Sequence, residues 1–435
     1  MFFRWGRKRG KSCIVDLNCY TIKDTDGEIV MLKYLIVSLS CLFVLQVSAG
    51  LPANQPEHPR NVANKRFFAY MNSICRGYNW RNVILSPFSI QQVFGVLYLG
   101  SDGNTARQIN TYLGLNSASA PWLAETIASL KNDKNCVTFN SLVVNRYFSV
   151  DQRFLKAVRN YYASKLYWAD FERPDKAAAA LNRIIEGQSR GIFKDLLTPA
   201  DISPDMVMAI MNVLYYKSDW RYKFDRNHTV QLNFTNAYNQ NKLVNMMFLK
   251  KFLPYFYDSQ TQIHGVVLPY ENPRFEMVLM MPFRQYTTVE SILQHLAHGK
   301  LENLLAQASS LNQTEVLLPR MDLSAKVKMA DSLCKFGVTD AFSPMLADFS
   351  GLGVSSAGRV YLKEVLHFVR LKVDEDGSEG SAVTVALPEA AAFLEEKINY
   401  FRADHPFVLL LRDKLTGAVL FAAVVNDLPS VEQLN

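Results

Sequence analysis

Long strand-like runs fill the chain after residue 136 and constrain its fold more than any other feature. They are rich in Val, Leu, Tyr and Phe and are bounded by turn residues, which is typical of β-strands. The runs occupy 137–150, 206–220, 264–283 and 314–323, and residues 406–425 add a hairpin around Lys414-Leu415-Thr416-Gly417. Helical patterns precede and separate these runs. The order predicts an α+β fold with large antiparallel or mixed sheets.

Helix signals concentrate in the first half of the chain. Ser86-Pro87 is a cap followed by proline, Gly114 is a stop signal, and Gly191 is expected to end a later helix. The predicted helical segments are 61–77, 86–100, 104–114 and 175–191. No linker, low-complexity tract or fixed repeat divides the 435 residues, 49% of which are hydrophobic. We therefore expect one large domain with a sizeable core.

The N-terminus has the layout of a secretory signal peptide. Residues 31–49 carry Lys33 near Met31, then an apolar run, then a small-residue site that predicts cleavage after Ala49. A signal anchor is the alternative, although the run is short for a membrane span of about 20 residues. Residues 1–30 are basic and patternless, and we interpret them as a non-native upstream extension. The mature domain would be residues 50–435, secreted and extracellular, with no membrane contact after signal removal.

Charge and cysteine content narrow the class further. Seven Lys/Arg and four Asp/Glu fall in residues 1–49, so +3 of the formal net charge of +7 leaves with them. The remaining +4 is modest and predicts no nucleic-acid partner. Three of the six cysteines also lie in residues 1–49 and would be removed with them. The remaining three, Cys75, Cys136 and Cys334, allow one disulfide at most. Asn-x-Ser/Thr sequons at Asn227, Asn233 and Asn312 suit a secreted glycoprotein.

Catalytic signatures are missing from the sequence. It has no G-x-S-x-G, H-E-x-x-H, C-x-x-C or P-loop motif, and the glycines of 351–358 do not keep dinucleotide-binding spacing. His295 and His298 are interpreted as a solvated helical face, and His405 as a turn residue. We therefore expect no catalytic residues, no metal and no cofactor, with the reservation that catalytic triads are set by geometry.

Six segments of the chain match, in order, the motifs of one known family. They are NVILSPFSI (82–90), LGSDGNTARQI (99–109), AIMNVLYYKSDWRYKFDRNHT (209–229), DAFSPMLADFSGL (340–352), VLHFVRLKVDEDGSEGSA (365–382) and FRADHPFVLLLRD (401–413). In the third segment, Asn212, Trp220, Phe224 and Thr229 stand where the family motif has them. With these segments the chain resembles the serpin family.

The resemblance implies a single-domain serpin fold with three β-sheets, eight to nine helices and an exposed reactive-centre loop at about 375–400. It also implies serine-protease inhibition by a suicide-substrate route. In that route the loop is cleaved, the protease is trapped as an acyl-enzyme, and the loop inserts into the largest sheet of a metastable fold. The alternative is a non-inhibitory serpin that acts as a binding, carrier or interaction protein.

The resemblance also assigns residues to that mechanism. Ser86, Ser89, Asn212 and His367 would form the polar cluster of the shutter, beneath the opening between strands, and Trp220 would lie at the breach, where the loop enters. Each of these five residues is also compatible with an ordinary buried position that has no role in insertion. The implied hinge is Glu375, Asp376, Gly377, Ser378, Glu379, Gly380, Ser381, Ala382, Val383 and Thr384. Its small and β-forming side chains suit insertion between two strands, and Gly377 suits a turn.

The scissile bond and the target protease are set by the second half of the loop. Counting from the hinge places the bond at Ala391-Ala392, which suits an elastase-like protease. Phe393 or Leu394 would instead suit a chymotrypsin-like enzyme, and Lys397 a trypsin-like one. Basic residues occur only as scattered pairs such as Lys250-Lys251, so heparin-type activation is not predicted, and a monomer is expected.

Four departures from the family pattern bear on insertion. Gly380 and Val383 interrupt the usual alanine run of the hinge, and Pro388 cannot donate to a strand ladder. Phe368-Val369 replaces the usual Lys-Ala after His367, and Ala423 stands where a glycine is common.

Overall fold

A computed structural model of the protein describes residues 57–77, 81–115, 119–131, 136–162, 164–216, 218–283, 288–355, 359–378 and 397–434. Residues 58–435 form one compact unit by their contacts. Within the described part, no helix combines the length and apolar character that crossing a bilayer requires.

The helices lie mainly in the first half of the chain, as the sequence predicts. Asp102 and Gly114 cap one of them, and Gly114 takes the left-handed φ of 68° that favours glycine. The helices are α1 (Pro59–Gly77), α2 (Pro87–Gly100), α3 (Gly103–Leu113), α4 (Ser119–Lys131), α5 (Gln152–Tyr162), α6 (Pro174–Gln188), α7 (Val289–Ala297), α8 (Leu301–Ala306), α9 (Ala330–Phe336) and α10 (Val431–Leu434).

The predicted runs contain strands, with turns dividing several of the runs, but other strands, including the long ones at Asn241–Phe252 and Leu362–Val373, lie outside them. Arg146-Tyr147, for example, interrupts the run 137–150. The strands are β1 (Val83–Leu85), β2 (Cys136–Asn145), β3 (Phe148–Val150), β4 (Lys165–Ala169), β5 (Met208–Tyr216), β6 (Ser218–Asp219), β7 (Val230–Thr235), β8 (Asn241–Phe252), β9 (Tyr255–Asp258), β10 (Ile263–Pro269), β11 (Phe275–Pro282), β12 (Gln313–Pro319), β13 (Met321–Lys328), β14 (Gly353–Ser355), β15 (Leu362–Val373), β16 (Gly377–Ser378), β17 (Asn399–Arg402), β18 (Phe407–Asp413) and β19 (Val419–Val425).

Three large sheets organise these strands, which confirms the predicted α+β class. The main sheet has the order β13-β15-β5-β2-β4, a six-stranded sheet has the order β1-β19-β18-β11-β10-β9, and a four-stranded sheet has the order β17-β12-β8-β7. The predicted C-terminal hairpin is present as β18 and β19. Two short pairs, β14-β3 and β16-β6, complete the topology of the described residues.

The main sheet is buried on both faces because its side chains alternate between two cores. On β5, Met208, Ile210, Leu214 and Tyr216 belong to the large core of the molecule. The alternate residues, Ala209, Met211, Val213 and Tyr215, join a second core beneath α6. β15 divides its side chains in the same way, so β5 and β15 lie side by side inside a three-layer structure.

Two local expectations need correction. The helix expected to end at Gly191 ends at Gln188, because Arg190 and Gly191 take left-handed φ values of 55° and 78°. The expected solvated face at His295 and His298 is only half correct, since His298 is exposed but His295 is partly buried on α7. His405 does lie in the turn between β17 and β18, where its Nδ1 is 2.8 Å from Asp404.

Candidate functional site

The central seam of the main sheet joins two parallel strands, β5 and β15. They pair from Leu362 opposite Met208 to Arg370 opposite Tyr215. β5 is antiparallel to β2 on its other side, and β15 is antiparallel to β13. A strand entering this seam and running opposite to both neighbours would therefore extend the antiparallel order of the sheet.

The chain reverses direction at the end of β15, which places the predicted hinge at the top of this seam. Asp374 and Gly377 exchange backbone hydrogen bonds, with N···O distances of 2.9 Å and 3.3 Å. The returning strand β16 then pairs antiparallel with β6, with Gly377 opposite Asp219 and Ser378 opposite Ser218. Since β6 follows β5 after one residue, β16 begins beside the extension of β5.

Gly377 is required at this position by two independent features. Its φ of +143° lies in a region that residues with a Cβ rarely adopt. An added Cβ would also stand 2.2 Å from the backbone oxygen of Ser218. The close approach of β16 to β6 therefore depends on glycine.

Glu375 anchors the hinge as a buried carboxylate that is only 1% exposed. The Arg320 Nε donates to both carboxylate oxygens at 2.8 Å, and Thr229 donates its hydroxyl proton to the same group. Burial opposes ionisation, but these hydrogen bonds outweigh it and lower the pKa of Glu375. Phe224 donates its backbone N–H to the Glu375 oxygen at 3.0 Å, which fixes the main chain as well.

Trp220 ties the same turn to the end of β6. Its indole Nε1 donates to the Asp374 backbone oxygen at 2.9 Å, and its own N–H donates to the Asp376 oxygen at 2.9 Å. The ring is 2% exposed and stacks on Tyr270 with centroids 4.6 Å apart. Trp220 is thus both a core residue and a contact of the hinge. Arg226 pairs with the Asp376 carboxylate beside it.

The second predicted cluster lies lower in the seam, between the sheet and α2. His367 of β15 is fully buried, and its Nε2 accepts the Ser86 backbone N–H at 3.0 Å. Its Nδ1 is 2.6 Å from the Asn212 side-chain oxygen on β5, so this nitrogen carries the proton. Because Asn212 and His367 stand opposite each other in the β5–β15 register, this hydrogen bond crosses the seam.

Burial without a charged partner lowers the pKa of His367 to about 3. The neutral ring is also what the geometry requires, since a proton on Nε2 would point at the Ser86 N–H.

The hydrogen-bond chain continues through two residues that the sequence did not reveal. Asn212 donates to the Asn140 side-chain oxygen, and Asn140 donates to Gln92 of α2. The β5–β2 register places Asn140 opposite Asn212, and no sequence motif signals that pairing.

Ser89 joins only through its backbone N–H, which donates to the Ser86 Oγ at 3.1 Å. Its own buried hydroxyl has no partner among the described residues. Ser86, Asn212 and His367 therefore come together, while the Ser89 side chain does not enter the hydrogen-bond chain.

Comparison with known proteins identifies the family. A family model described as Serpin (serine protease inhibitor) matches residues 63–428. The chain belongs to the serpin family. An uncharacterised serpin-like protein of Thermococcus kodakarensis is 31% identical to it over 352 residues, covering 79% of this chain and 80% of that protein.

Two further relatives illustrate the range of the family. The human leukocyte elastase inhibitor is 27% identical to this serpin, and the match covers 78% of this chain and 91% of that protein. The native structure of tengpin, a thermophilic serpin, superimposes with a TM-score of 0.76 at 24% identity and covers 86% of this chain and 95% of its own. At that identity the superposition shows the shared fold.

The remaining predicted sites of this serpin are placed as follows. Residues 379–396 lie outside the described residues, and with them the hinge residues after Ser378 and the candidate reactive residues Ala391, Ala392, Phe393 and Leu394. Lys397 is described and exposed, two residues before the start of β17. Asn227 and Asn233 are exposed and Asn312 is partly buried. Cys75 and Cys334 carry free thiols.

Proposed function

We propose that this serpin is a secreted inhibitor of a serine protease and acts by inserting its cleaved loop between β5 and β15. The observation that carries the proposal is the position of β16. The two residues after the hinge turn already run opposite to β15 and pair with β6, the continuation of β5. Further residues of the same segment, continuing in that direction, would enter the seam.

The pairing geometry favours insertion once the loop is free at one end. The parallel β5–β15 contact would be replaced by two antiparallel contacts, which are slightly more stable per residue. About ten additional ladder hydrogen bonds at about 1 kcal/mol each would contribute on the order of 10 kcal/mol. Small residues such as Ser381 and Ala382 suit an inserted strand, because its side chains would have to fit into the two packed cores on the two faces of the main sheet.

The proposed reaction begins as an ordinary cleavage. The protease serine attacks the carbonyl carbon of Ala391, the amine of Ala392 leaves with a proton, and an ester joins Ala391 to the protease. Insertion from the hinge end then carries the tethered protease along the seam before water hydrolyses the ester. The polar cluster of His367 and Asn212 lies in the path of insertion, because its hydrogen bond must open when the strands separate.

We propose an elastase-like target for the Ala391-Ala392 bond, since a small specificity pocket suits alanine. Phe393 and Leu394 define the chymotrypsin-like alternative. Lys397 is the weakest candidate because it lies only two residues before Asn399, where β17 begins, and β17 pairs with β12. A bond so close to an anchored strand has little freedom to extend into a protease cleft.

Secretion is part of the same proposal. It is supported by the signal-like segment 31–49 and by the exposure of Asn227 and Asn233, which leaves room for glycans at both sequons. Mass spectrometry of protein secreted from an animal cell line tests both points. We expect a mature N-terminus near residue 50 and sugar on Asn227 and Asn233.

Incubation with elastase, chymotrypsin and trypsin tests inhibition. We expect an SDS-resistant complex with elastase. The C-terminal fragment that denaturation separates from it should begin at Ala392 by mass spectrometry. Cleavage that yields no complex and no gain in heat stability would contradict the proposal and favour a non-inhibitory binding or carrier role.

A further inference from the structure

A cleft of about 530 Å³ opens on the face of the main sheet that α6 covers, where β13 and β15 meet residues 192–196 of the loop after α6. Small-molecule sites in proteins have volumes of roughly 300–1,000 Å³, so the cleft is large enough for one. Side chains alternate between the two faces of a strand, so His367 and its hydrogen-bond chain lie on the opposite face. That chain therefore does not account for the cleft.

One part of the lining is apolar. Phe193 and Phe368 lie at the base of the cleft and are 6% and 1% exposed. Ile192 and Leu196 are partly exposed and form a wall above them. Phe368 replaces the family's usual lysine after His367, so an aromatic ring stands where an ammonium group is usual. The replacement makes this end of the cleft suitable for an apolar group.

Cations dominate the polar part of the lining. Lys194, Lys326 and Arg370 oppose a single acidic residue, Asp322. Arg370 donates to both oxygens of Asp322, at 3.0 Å and 2.7 Å, and so neutralises it. Lys194 is 65% exposed and lies 3.4 Å from Glu186. Water screens such an exposed ion pair, so the Lys194 ammonium is able to turn towards a bound anion.

Lys326 connects the polar part to the apolar part. Its ammonium lies 5.9 Å from the centroid of the Phe368 ring. It donates to the Leu196 backbone oxygen at 2.8 Å and to the Asp201 carboxylate at 2.5 Å. A lysine ammonium has three N–H donors, so these two contacts leave one for a ligand. A positive charge is thus fixed directly beside the apolar base.

We propose that this cleft binds a small organic anion, a carboxylate with an aromatic or aliphatic body. The body would lie over Phe193 and Phe368, and the carboxylate would accept hydrogen bonds from Lys326 and Lys194. A purely polar anion would leave the apolar base uncovered, and an uncharged apolar molecule would gain nothing from the cations. Binding requires neither cleavage nor insertion of the reactive-centre loop, so its test does not depend on the proposed function.

Fluorescence titration with two matched probes tests this ligand class. Dansylglycine has a naphthalene ring and an ionised carboxylate, and dansylamide has the same ring without the charge. We expect one dansylglycine per protein, with a dissociation constant on the order of 10 µM, which is typical of a ligand of this size. Dansylamide should bind about tenfold more weakly because it lacks the charge-assisted hydrogen bonds. Equal affinities, or no saturable binding of dansylglycine, would overturn the proposal.

Two variants locate the bound probe. Ser324 is exposed, lines the cleft and stands opposite Arg370 in the β13–β15 register. Ser324→Trp would fill the cleft, and we expect it to weaken the binding of both probes at least tenfold. Lys194→Glu reverses an exposed charge and should weaken dansylglycine about tenfold while leaving dansylamide unchanged. Equal weakening of the two probes by Lys194→Glu would contradict the role of the cations.

Matched controls make the same changes away from the cleft. Ser149→Trp places the indole at an exposed position of β3, and Lys250→Glu reverses a lysine 3.3 Å from Glu315 on the four-stranded sheet. Both should keep the wild-type affinity for dansylglycine, and the thermal midpoint of every variant checks its folding. Wild-type affinity in both Ser324→Trp and Lys194→Glu, or equal losses in the controls, would exclude the cleft as the binding site. Lys194→Glu keeps the test decisive even if Ser324→Trp does not fold.

Discussion

His367 shows how a single side chain can join two strands. Its ring accepts a hydrogen bond from the Ser86 backbone N–H on one side and donates one to the Asn212 side-chain oxygen on the other, and only the neutral tautomer does both. Full burial removes the water that would otherwise solvate a charged ring. Protonation of the His367 ring at low pH is therefore incompatible with this pair of hydrogen bonds.

Stability should fall below neutral pH for this reason. The pKa of His367 is about 3 in the folded protein, against an ordinary value of 6.5 for the unfolded chain. Between these values only the unfolded state binds the proton, so stability decreases as pH falls from about 6.5 towards 3. From pH 7.5 to pH 5 the decrease should reach about 2 kcal/mol at this site.

Denaturant unfolding of His367→Gln at pH 5 and at pH 7.5 measures that contribution. Glutamine can keep one acceptor and one donor but does not titrate, so the difference between the two pH values should shrink by about the same 2 kcal/mol. His298→Gln at the exposed end of α7 is the control and should retain the wild-type pH dependence. An unchanged pH difference in His367→Gln would refute the assignment.

Arg320 supplies the charge that the buried Glu375 needs. Arg320→Leu would leave the carboxylate without its bidentate partner, and we expect the free energy of unfolding to fall by about 2 kcal/mol. Arg153→Leu removes an exposed pair with Asp151 and should have a much smaller effect, because water screens that pair. Denaturant unfolding compares the two variants. Equal effects would show that the hinge does not depend on its ion pair.

At the scale of elements, the hinge turn joins a finished strand, β15, to the first two residues of another. The turn is held by backbone bonds between Asp374 and Gly377 and by the indole of Trp220. This arrangement sets the direction of any residues that follow.

Gly377→Ala should separate this element from β6. The added methyl would meet the Ser218 oxygen, so we expect disruption of the β16–β6 pairing. Under the proposed mechanism, the variant should behave as a substrate and no longer as an inhibitor. Gly187→Ala in α6 is the matched control, since an added Cβ there meets nothing within 4 Å. The stoichiometry of inhibition checks both variants. Wild-type stoichiometry in Gly377→Ala would refute the role of this pairing.

Sequence reasoning recovered the elements better than their long-range contacts. The C-terminal hairpin was predictable because Thr416-Gly417 marks the turn between two apolar runs. The end of α6 was not, because Arg190 already takes a left-handed φ of 55° before the glycine stop signal, and Gly191 donates its N–H back to the Glu186 oxygen. Asn140 was missed because its place opposite Asn212 follows from strand register, and Gln92 was missed because its contact with Asn140 follows from the packing of α2 on the sheet; no local pattern encodes either.

At the scale of the molecule, β5 and β15 remain paired in parallel at the centre of the main sheet, although β16, which follows the hinge, already runs antiparallel to β6. The intact loop joins β16 to β17, and β17 is anchored in the four-stranded sheet. In the proposed mechanism, that anchor would prevent deep insertion until the loop is cut.

Loop cleavage should therefore raise heat stability. With on the order of 10 kcal/mol of added pairing, the thermal midpoint of the cleaved protein should rise by at least about 10 °C. Calorimetry before and after cleavage measures the shift, and cleaved Gly377→Ala should show a smaller one. A midpoint that stays the same or falls in cleaved wild-type protein would exclude insertion.

The positions of β17, β18 and β19 in the sheets also determine whether the two fragments of a cleaved chain stay associated. A break at Ala391-Ala392 leaves these strands in the C-terminal fragment, yet β18 lies between β11 and β19 inside the six-stranded sheet. The fragment is interleaved with the rest of the protein and cannot diffuse away. A cut molecule would migrate as one particle on a native gel or in gel filtration and as two bands once boiled in detergent.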